Sequence, residues 1–421
     1  MTRARIRILL ALGGLCGALV AISGAHAADW PQWLGPERNG VSTETGLRRG
    51  FPTEGPPRLW KRPLGAGFSG IAVVGSRLFT MTADADHELV VAMDAETGRE
   101  LWRSPVGDRF GDRMGGDGPR STPTVDGDRV IALGAEGLLV ALELASGRRL
   151  WAVDLPRQLS GSAPTWGYSA SPLVHRGRVF VDAGGSGARG LAAFDRADGR
   201  VLWSAEEDRA GYSSPVLMRP MGIEQIVFFT GRRVVAVSPD AGVAFWQVPW
   251  KTAHDVNAAT PQLVGEDRLF VSSGYGTGAA MLKVVREGDR LAARQLWKSP
   301  SMRNKMTTSV VQGGYIYGFS ESTLTCIDAN DGEVVWDKDG YGRGTLLLAD
   351  GRLWALSEEC ELVVADATPE AYRELGRWRL LGERCWTMPS LSGGRLFARD
   401  EQHIASFDLR PATAPAPRVA P

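Results

Sequence analysis

The chain has 421 residues, with 48 basic and 48 acidic side chains and a formal net charge of +0. This balance excludes the basic composition that is typical of nucleic-acid-binding proteins, and no long run of like charge interrupts it. A chain of this length usually forms two or three domains, unless an internal repeat gives it one continuous core.

Residues 1–27 are predicted to be a secretory signal peptide. Three arginines precede an apolar stretch, residues 8–22, which is short for a membrane span. Ala25-His26-Ala27 is a small-x-small cleavage site. An alternative is a lipid anchor on Cys16, but Leu15 stands where such a site has a small residue. No later segment is long and apolar enough to span a membrane, so we expect a soluble, monomeric protein exported to the periplasm.

Residues 28–57 are predicted to form an N-terminal lead that packs on the body of the fold. Trp30 and Trp33 lie close together in it, and two exposed indoles would be costly in water. The lead has two possible roles, as a lid or docking strip over a functional face, or as a plug over one face. We favour the plug.

An eleven-residue motif recurs after the lead, and its first copy spans residues 92–102. Asp94 opens a turn by accepting hydrogen bonds from the amides that follow, and Gly98 supplies the positive φ that ends it. Alternating apolar residues on both sides indicate a β-hairpin, which Trp102 closes. Near-copies occupy residues 141–151, 193–203, 236–246 and 326–336.

Tryptophans close the repeated units about 45 residues apart, a spacing typical of four-stranded propeller blades. They are Trp60, Trp102, Trp151, Trp203, Trp246, Trp297, Trp336 and Trp378. We therefore predict an all-β fold over residues 58–410, an eight-bladed β-propeller of four-stranded antiparallel blades. The last unit, residues 388–409, lacks its closing strand, and we expect an N-terminal strand around Trp60 to complete that blade. The Pro- and Ala-rich residues 411–421 are predicted to be a disordered tail.

Three cysteines follow the predicted signal peptide, Cys326, Cys360 and Cys385. An odd number allows at most one disulfide. Their spacing matches neither CxxC nor CxxCH, which argues against a zinc site and covalent haem. We expect free thiols in a fold that needs no disulfide.

The repeat AxDxxTGxxLW with its eight closing tryptophans resembles the pyrroloquinoline-quinone (PQQ) repeat family. That family includes the eight-bladed quinoprotein alcohol dehydrogenases and BamB, a propeller lipoprotein of the outer-membrane β-barrel assembly machinery. The resemblance covers residues 59–409. The opening Trp30-Pro31-Gln32-Trp33, followed by Gly35-Pro36 and Gly40, resembles an exported bacterial subgroup called PQQ-binding-like. The resemblance implies the propeller fold, which hosts many activities.

In a propeller, the loops that lead into the innermost strands surround the mouth of the central channel, where ligands usually bind. These loops carry side chains that could stack on a planar ring, hold an anion or offer an oxygen ligand. The candidate ligand-binding residues are Trp166, Tyr168, Tyr212, Arg303, Asn304, Arg343 and Trp386. Asp255 and Asn257 are candidate calcium ligands. Each has a structural alternative as a channel plug, a solvated arginine or a turn former.

Two functions remain open. We favour a non-catalytic, cofactor-independent binding or scaffold module, which presents the channel mouth to a protein partner of the cell envelope or to a small planar or anionic ligand. The alternative is a PQQ- and calcium-dependent dehydrogenase. The resemblance implies, for that class, an adjacent cysteine pair over the cofactor and long loops around the site, and this sequence has neither.

Overall fold

The computed structural model describes residues 28–411. The predicted signal peptide and nearly all of the predicted tail lie outside the described residues. Within the described range the strands form eight antiparallel sheets of four strands each, one of which gains a fifth strand. This arrangement confirms the predicted all-β, eight-bladed propeller.

Two short strands come first in the chain. They are β1 (Val41–Ser42) and β2 (Arg58–Pro63). Blade 1 contains β3 (Ala72–Val74), β4 (Arg77–Ala83), β5 (His87–Asp94) and β6 (Glu100–Asp108). Blade 2 contains β7 (Thr124–Asp126), β8 (Arg129–Leu133), β9 (Leu138–Glu143) and β10 (Arg149–Asp154), and a short helix, α1 (Leu155–Leu159), follows it. Blade 3 contains β11 (Leu173–His175), β12 (Arg178–Gly185), β13 (Arg189–Asp195) and β14 (Val201–Ala205).

The second half of the ring repeats the pattern. Blade 4 contains β15 (Val216–Met218), β16 (Gln225–Phe229), β17 (Arg233–Val237) and β18 (Ala244–Pro249), with 3₁₀ turns at Pro220–Gly222 and, after the blade, at Ala253–Asp255. Blade 5 contains β19 (Gln262–Val264), β20 (Arg268–Ser273), β21 (Gly278–Glu287) and β22 (Arg290–Ser299). Blade 6 contains β23 (Val310–Gln312), β24 (Tyr315–Ser320), β25 (Thr323–Asp328) and β26 (Val334–Lys338). Blade 7 contains β27 (Thr345–Ala349), β28 (Arg352–Leu356), β29 (Glu361–Asp366) and β30 (Glu374–Arg379). Blade 8 contains β31 (Ser390–Ser392), β32 (Arg395–Arg399) and β33 (His403–Asp408).

An N-terminal strand closes the ring, as predicted. β2 pairs antiparallel with β33, and Trp60 lies opposite Ser406. Blade 8 therefore takes its outermost strand from the N-terminal part of the chain. This pairing closes the ring between its first and last blades. The lead also contributes β1, which pairs in parallel with β27 at the inner edge of blade 7.

The regular spacing of glycine and tryptophan within the repeat reflects one contact between neighbouring blades. The indole Nε1 of Trp102 donates to the carbonyl of Leu144, in the hairpin turn of the next blade, at 3.2 Å. A Cβ on Gly147 in that turn would lie 2.5 Å from the Trp102 ring. The glycine is therefore needed twice, for its φ of +73° and for the approach of the ring. The same ring-to-glycine contact joins Trp60 to Gly98, Trp151 to Gly199, Trp203 to Gly242 and Trp297 to Gly332.

Three tryptophans depart from this pattern where the next blade lacks the glycine turn, and one of them, Trp336, donates to the Thr368 carbonyl of blade 7 at 2.9 Å. Trp246 donates to the Gln225 side chain of its own blade at 2.7 Å, because blade 5 has a long β21–β22 hairpin instead of the short turn. Trp378 faces the lead, where a Cβ on Gly55 would lie 2.7 Å from it and the Phe51 ring is 5.2 Å away. Blade 8 has no hairpin turn for Trp378 to contact, because its outermost strand is β2. The lead takes the place of that turn at the interface between blades 7 and 8.

A break in strand register precedes the closing tryptophan. In blade 2, Arg149 pairs with Leu142 and Trp151 pairs with Ala141, so Leu150 is an extra residue. The same bulge occurs directly before the tryptophan in every blade except blade 7, where it precedes Gly376. A bulge increases the local twist of the edge strand.

One disulfide corrects the expectation of free thiols. Cys360, after β28, is bonded to Cys385, in the loop that leads into β31. Cys326 is the free cysteine of the described range, and it is buried in β25. The bond joins blade 7 to the entrance of blade 8, a proximity that the sequence spacing does not reveal.

Candidate binding site at the channel mouth

The starts of four innermost strands, in blades 1, 2, 3 and 5, are held by hydroxyl groups of the neighbouring blade. The amide of Gly70 donates to Thr122 Oγ1 at 3.1 Å, the amide of Thr122 to Ser171 Oγ at 2.9 Å, and the amide of Ser171 to Ser214 Oγ at 2.8 Å. This belt explains the serine or threonine at the start of these units. It fixes the loops that surround the channel mouth on one face of the ring.

The lead seals the channel beneath this mouth. Arg38 is only 3% exposed, and its guanidinium donates to the carbonyls of Ser171, Pro172 and Pro215 near the axis. Burial lowers the pKa of Arg38 to about 9. Above it, Trp33 Nε1 donates to Thr260 Oγ1 at 3.0 Å. Because Arg38 and Trp33 fill the axis, the cavity at the mouth has a closed floor.

The cavity has a volume of about 350 Å³, and its wall is rich in aromatic rings. The rings that line it belong to Trp33, Phe68, Trp166, Tyr212, Tyr275 and Trp386. Three cations, Arg120, Lys305 and Arg343, also line it, and the described residues of its lining include no aspartate or glutamate. This combination suits a ligand with a planar apolar part and a negative charge.

Trp386 is held in place by several neighbouring groups. Its Nε1 donates to Glu358 Oε1 at 2.8 Å, and the Cys360–Cys385 disulfide anchors the residue beside it. The guanidinium of Arg384 lies 3.8 Å from its ring centroid. These contacts fix the orientation of the indole before any ligand arrives, which lowers the entropic cost of binding.

The three cations differ in how far neighbouring carboxylates neutralise them. Arg120 is largely buried and contacts Asp112 at 3.1 Å. Lys305 lies 3.6 Å from Glu321. Among residues 28–411, no carboxylate lies within 4.0 Å of the exposed Arg343 guanidinium, which stands 5.3 Å from the Trp386 ring centroid. Arg343 is therefore the cation most available to an incoming anion.

The structure brings four of the predicted ligand-binding residues to the cavity: Trp166, Tyr212, Arg343 and Trp386. The rings of Trp166 and Tyr212 are 5.8 Å apart, and burial raises the pKa of the Tyr212 hydroxyl to about 12, so it stays neutral.

The other three predicted ligand-binding residues lie outside the cavity lining. Tyr168 is buried between blades 2 and 3, where its hydroxyl donates to the Ala183 carbonyl at 2.8 Å. Asn304 is buried, and its amide donates to the Phe319 carbonyl. Arg303 is exposed next to Asn304.

The two candidate calcium ligands are already engaged by protein groups. Asp255 accepts from Arg209 at 3.0 Å. Asn257 is fully buried, donates to the Thr230 carbonyl at 2.8 Å and accepts from Ser273 Oγ at 2.8 Å. No cluster of three or more histidine, cysteine, aspartate or glutamate residues suited to a metal occurs in the described range. The residues present at this position do not fit a calcium ion.

Sequence reasoning missed three aromatic residues of the wall: Phe68, Tyr275 and Trp33, which it assigned only to the N-terminal lead. Phe68 lies in the segment before β3, and its ring centroid is 5.4 Å from that of Trp386. It occupies the blade 1 counterpart of the mouth loops, so the repeat could have revealed it. Tyr275 lies in the β20–β21 turn with a φ of +56°, and no feature of the repeat marks that turn as part of the mouth.

Comparison with known proteins places this propeller in a family. The family model described as outer membrane protein assembly factor BamB matches residues 57–154 and 86–338, more than half of the chain. The chain belongs to the BamB family of PQQ-repeat propellers. The BamB of Shewanella oneidensis is 24% identical over 281 residues, which span 63% of this chain and 67% of that protein.

Two solved structures share the fold of this BamB-family chain. BamB from Moraxella catarrhalis superposes with a TM-score of 0.62 at 14% identity, over 83% of this chain and 97% of that one. Quinohemoprotein alcohol dehydrogenase ADHIIG from Pseudomonas putida HK5 gives a TM-score of 0.65 at 13% identity, over 94% of this chain and 82% of that one. At these identities the likeness concerns the fold alone. Helices of residues 28–411 are too short or too polar to cross a membrane.

Proposed function

We propose that this protein is a non-catalytic periplasmic scaffold of outer-membrane protein assembly, and that it binds a protein partner at the channel mouth. The observation that carries this proposal is the aromatic, cationic cavity with its closed floor, on a scaffold of the BamB family. The rings of the cavity are held by the fold itself, as in a preformed binding surface.

Export is supported by the disulfide. Cys360 and Cys385 are bonded, and stable disulfides form mainly in oxidising compartments such as the bacterial periplasm. The predicted signal peptide agrees with this compartment. A periplasmic location would bring the mouth into contact with envelope proteins.

A PQQ-dependent dehydrogenase is the second candidate, and one observation favours it. The aromatic wall and the three cations suit a planar anion such as PQQ, which would supply the oxidising group when bound. The calcium candidates, however, are engaged by Arg209, Thr230 and Ser273. We therefore favour the scaffold.

Co-purification tests the proposal directly. Tagged wild-type protein, Arg343→Glu and the control Arg200→Glu, which changes an exposed arginine of the blade 3 hairpin turn, would be isolated from solubilised envelopes. We expect outer-membrane assembly proteins to accompany the wild type and Arg200→Glu, and to be depleted with Arg343→Glu. Equal recovery with all three proteins would contradict a binding role for the mouth.

A titration separates the two candidates. Purified protein would be mixed with PQQ and calcium and followed by absorbance and calorimetry. We expect no uptake at micromolar concentrations. Uptake accompanied by dye-linked alcohol oxidation would establish the dehydrogenase instead.

A further inference from the structure

The mouth has an uncompensated positive charge beside a fixed aromatic ring. Arg343 has no carboxylate within 4.0 Å in the described range, and its guanidinium lies 5.3 Å from the Trp386 ring centroid. A neighbouring acid, Glu358, accepts from Trp386 Nε1 at 2.8 Å and from the Arg343 backbone amide at 3.2 Å. Among residues 28–411 the Arg343 guanidinium has no hydrogen-bond partner, and guanidinium donors match a carboxylate in pairs.

The shape of the cavity limits what can enter. Its volume of about 350 Å³ is near the lower end of the range for ligand pockets, roughly 300–1,000 Å³. Trp33 closes its floor, and Arg38 fills the axis below. A polypeptide cannot thread through the ring, so a chain that reaches the floor must arrive by a side chain or by its end.

We propose that the mouth binds the C-terminal aromatic residue of a partner polypeptide. The free α-carboxylate pairs with Arg343, and the aromatic side chain enters the cavity against its ring-lined wall. This inference rests on the proposed partner-binding function of the mouth and specifies its ligand. Met114, Met306 and Met388 also line the cavity, and their flexible side chains adapt to rings of different shape.

The charge of the lining selects the end of the chain over other aromatic segments. No acidic residue of the described range lines the cavity, so a carboxylate entering it meets no like charge there. A ring followed by further residues would lack the free carboxylate for Arg343. An amidated terminus would leave the guanidinium without its partner, and binding would weaken.

Peptide titration tests the inference with the full mature protein. The probe is a fluorescent nonapeptide that ends in phenylalanine with a free carboxylate. It is compared with the same peptide as a C-terminal amide, with a version ending in alanine, and with N-acetylphenylalanine. We expect the amide and the alanine peptide each to bind about tenfold more weakly or worse, as the loss of one charge-assisted hydrogen bond or one buried ring predicts.

Protein variants locate the contact. Arg343→Gln should reduce affinity for the free-acid peptide about tenfold and leave affinity for the amide unchanged. Arg303→Gln is the matched control, because Arg303 is an exposed arginine of a neighbouring mouth loop outside the cavity lining. It should bind every peptide as the wild type does.

Three results would overturn the inference. The first is equal affinity for the free-acid peptide and its C-terminal amide. The second is an Arg343→Gln variant that binds the free-acid peptide as the wild type does. The third is N-acetylphenylalanine binding as tightly as the peptide, which would identify a small aromatic acid as the ligand. If no peptide binds while partner recovery still depends on Arg343, the terminal-residue inference fails and the proposed scaffold function stands.

Discussion

Replacing one repeat glycine with alanine should show that the hairpin turn and the tryptophan of the preceding blade form one structural unit. Gly147 has a φ of +73°, and a Cβ there would lie 2.5 Å from the Trp102 ring. The left-handed conformation costs a residue with a Cβ about 1–2 kcal/mol. Displacing the packed ring adds about 1–3 kcal/mol. We expect Gly147→Ala to lower the free energy of unfolding by about 3–5 kcal/mol, since the bond from Trp102 to Leu144 also weakens.

The control for this experiment is Gly177→Ala. Gly177 has a φ of +71°, but a Cβ there would have no atom within 4 Å, so the substitution carries the backbone cost alone, about 1–2 kcal/mol. Both variants would be compared with the wild type by denaturant unfolding followed by tryptophan fluorescence. Equal losses in the two variants would refute the role of the ring contact. A larger loss of unfolding free energy in Gly147→Ala than in Gly177→Ala would support that role.

Three further predictions concern buried groups of the scaffold. Burial raises the pKa of Asp182 to about 8, so the folded state retains a proton that the unfolded chain releases above about pH 4. The unfolding free energy should fall as the pH rises from about 4 to 8, and Asp182→Asn should flatten that fall in unfolding curves measured across this range. Replacing Cys360 and Cys385 with serine should lower stability by about 3.5 kcal/mol, because the bond closes a loop across 25 residues, and calorimetry should show a lower melting temperature. Arg38→Met should lower the unfolding free energy by about 2–4 kcal/mol in denaturant titrations, because the carbonyls near the axis lose their donors.

Each of these predictions has an outcome that would contradict it. Asp289→Asn, at an exposed turn, is the control for Asp182→Asn. An identical pH profile of unfolding free energy in both variants would show that Asp182 does not cause the loss of stability with rising pH. Reducing agent should destabilise the wild type and leave the double serine variant unaffected; a response from both would implicate another group. An Arg38→Met variant as stable as the wild type would show that the guanidinium does not help to hold the lead.

The repeat made the ring predictable because its signal is local. Asp94, Gly98 and Trp102 lie within one hairpin, so turn chemistry and strand alternation reveal the blade without knowledge of distant contacts. The closing strand could also be predicted. Trp60 has no hairpin before it, and the last unit, residues 388–409, has no closing tryptophan, so each supplies what the other lacks. The bulge before the tryptophan left no such mark, since an extra residue in one strand changes the register and not the composition.

The candidate site was only partly predictable, because residues of the same loop point in different directions. Trp166 reaches the cavity, whereas Tyr168, two residues later, fills the space between two blades. Asn257 resembles a metal ligand in the sequence, but its amide satisfies the Thr230 carbonyl instead. The Cys360–Cys385 bond depends on the approach of neighbouring blades, which no spacing rule records.

Site-specific photo-crosslinking in cells tests most directly whether the channel mouth is the partner-binding face. A photoreactive residue would replace Met114, which lines the cavity and is 73% exposed, or Val243, which is 63% exposed at the outer hairpin turn of blade 4. We predict adducts with outer-membrane assembly proteins from position 114 and none from position 243. The same adducts from both positions, or a partner that co-purifies without any adduct at position 114, would contradict the account.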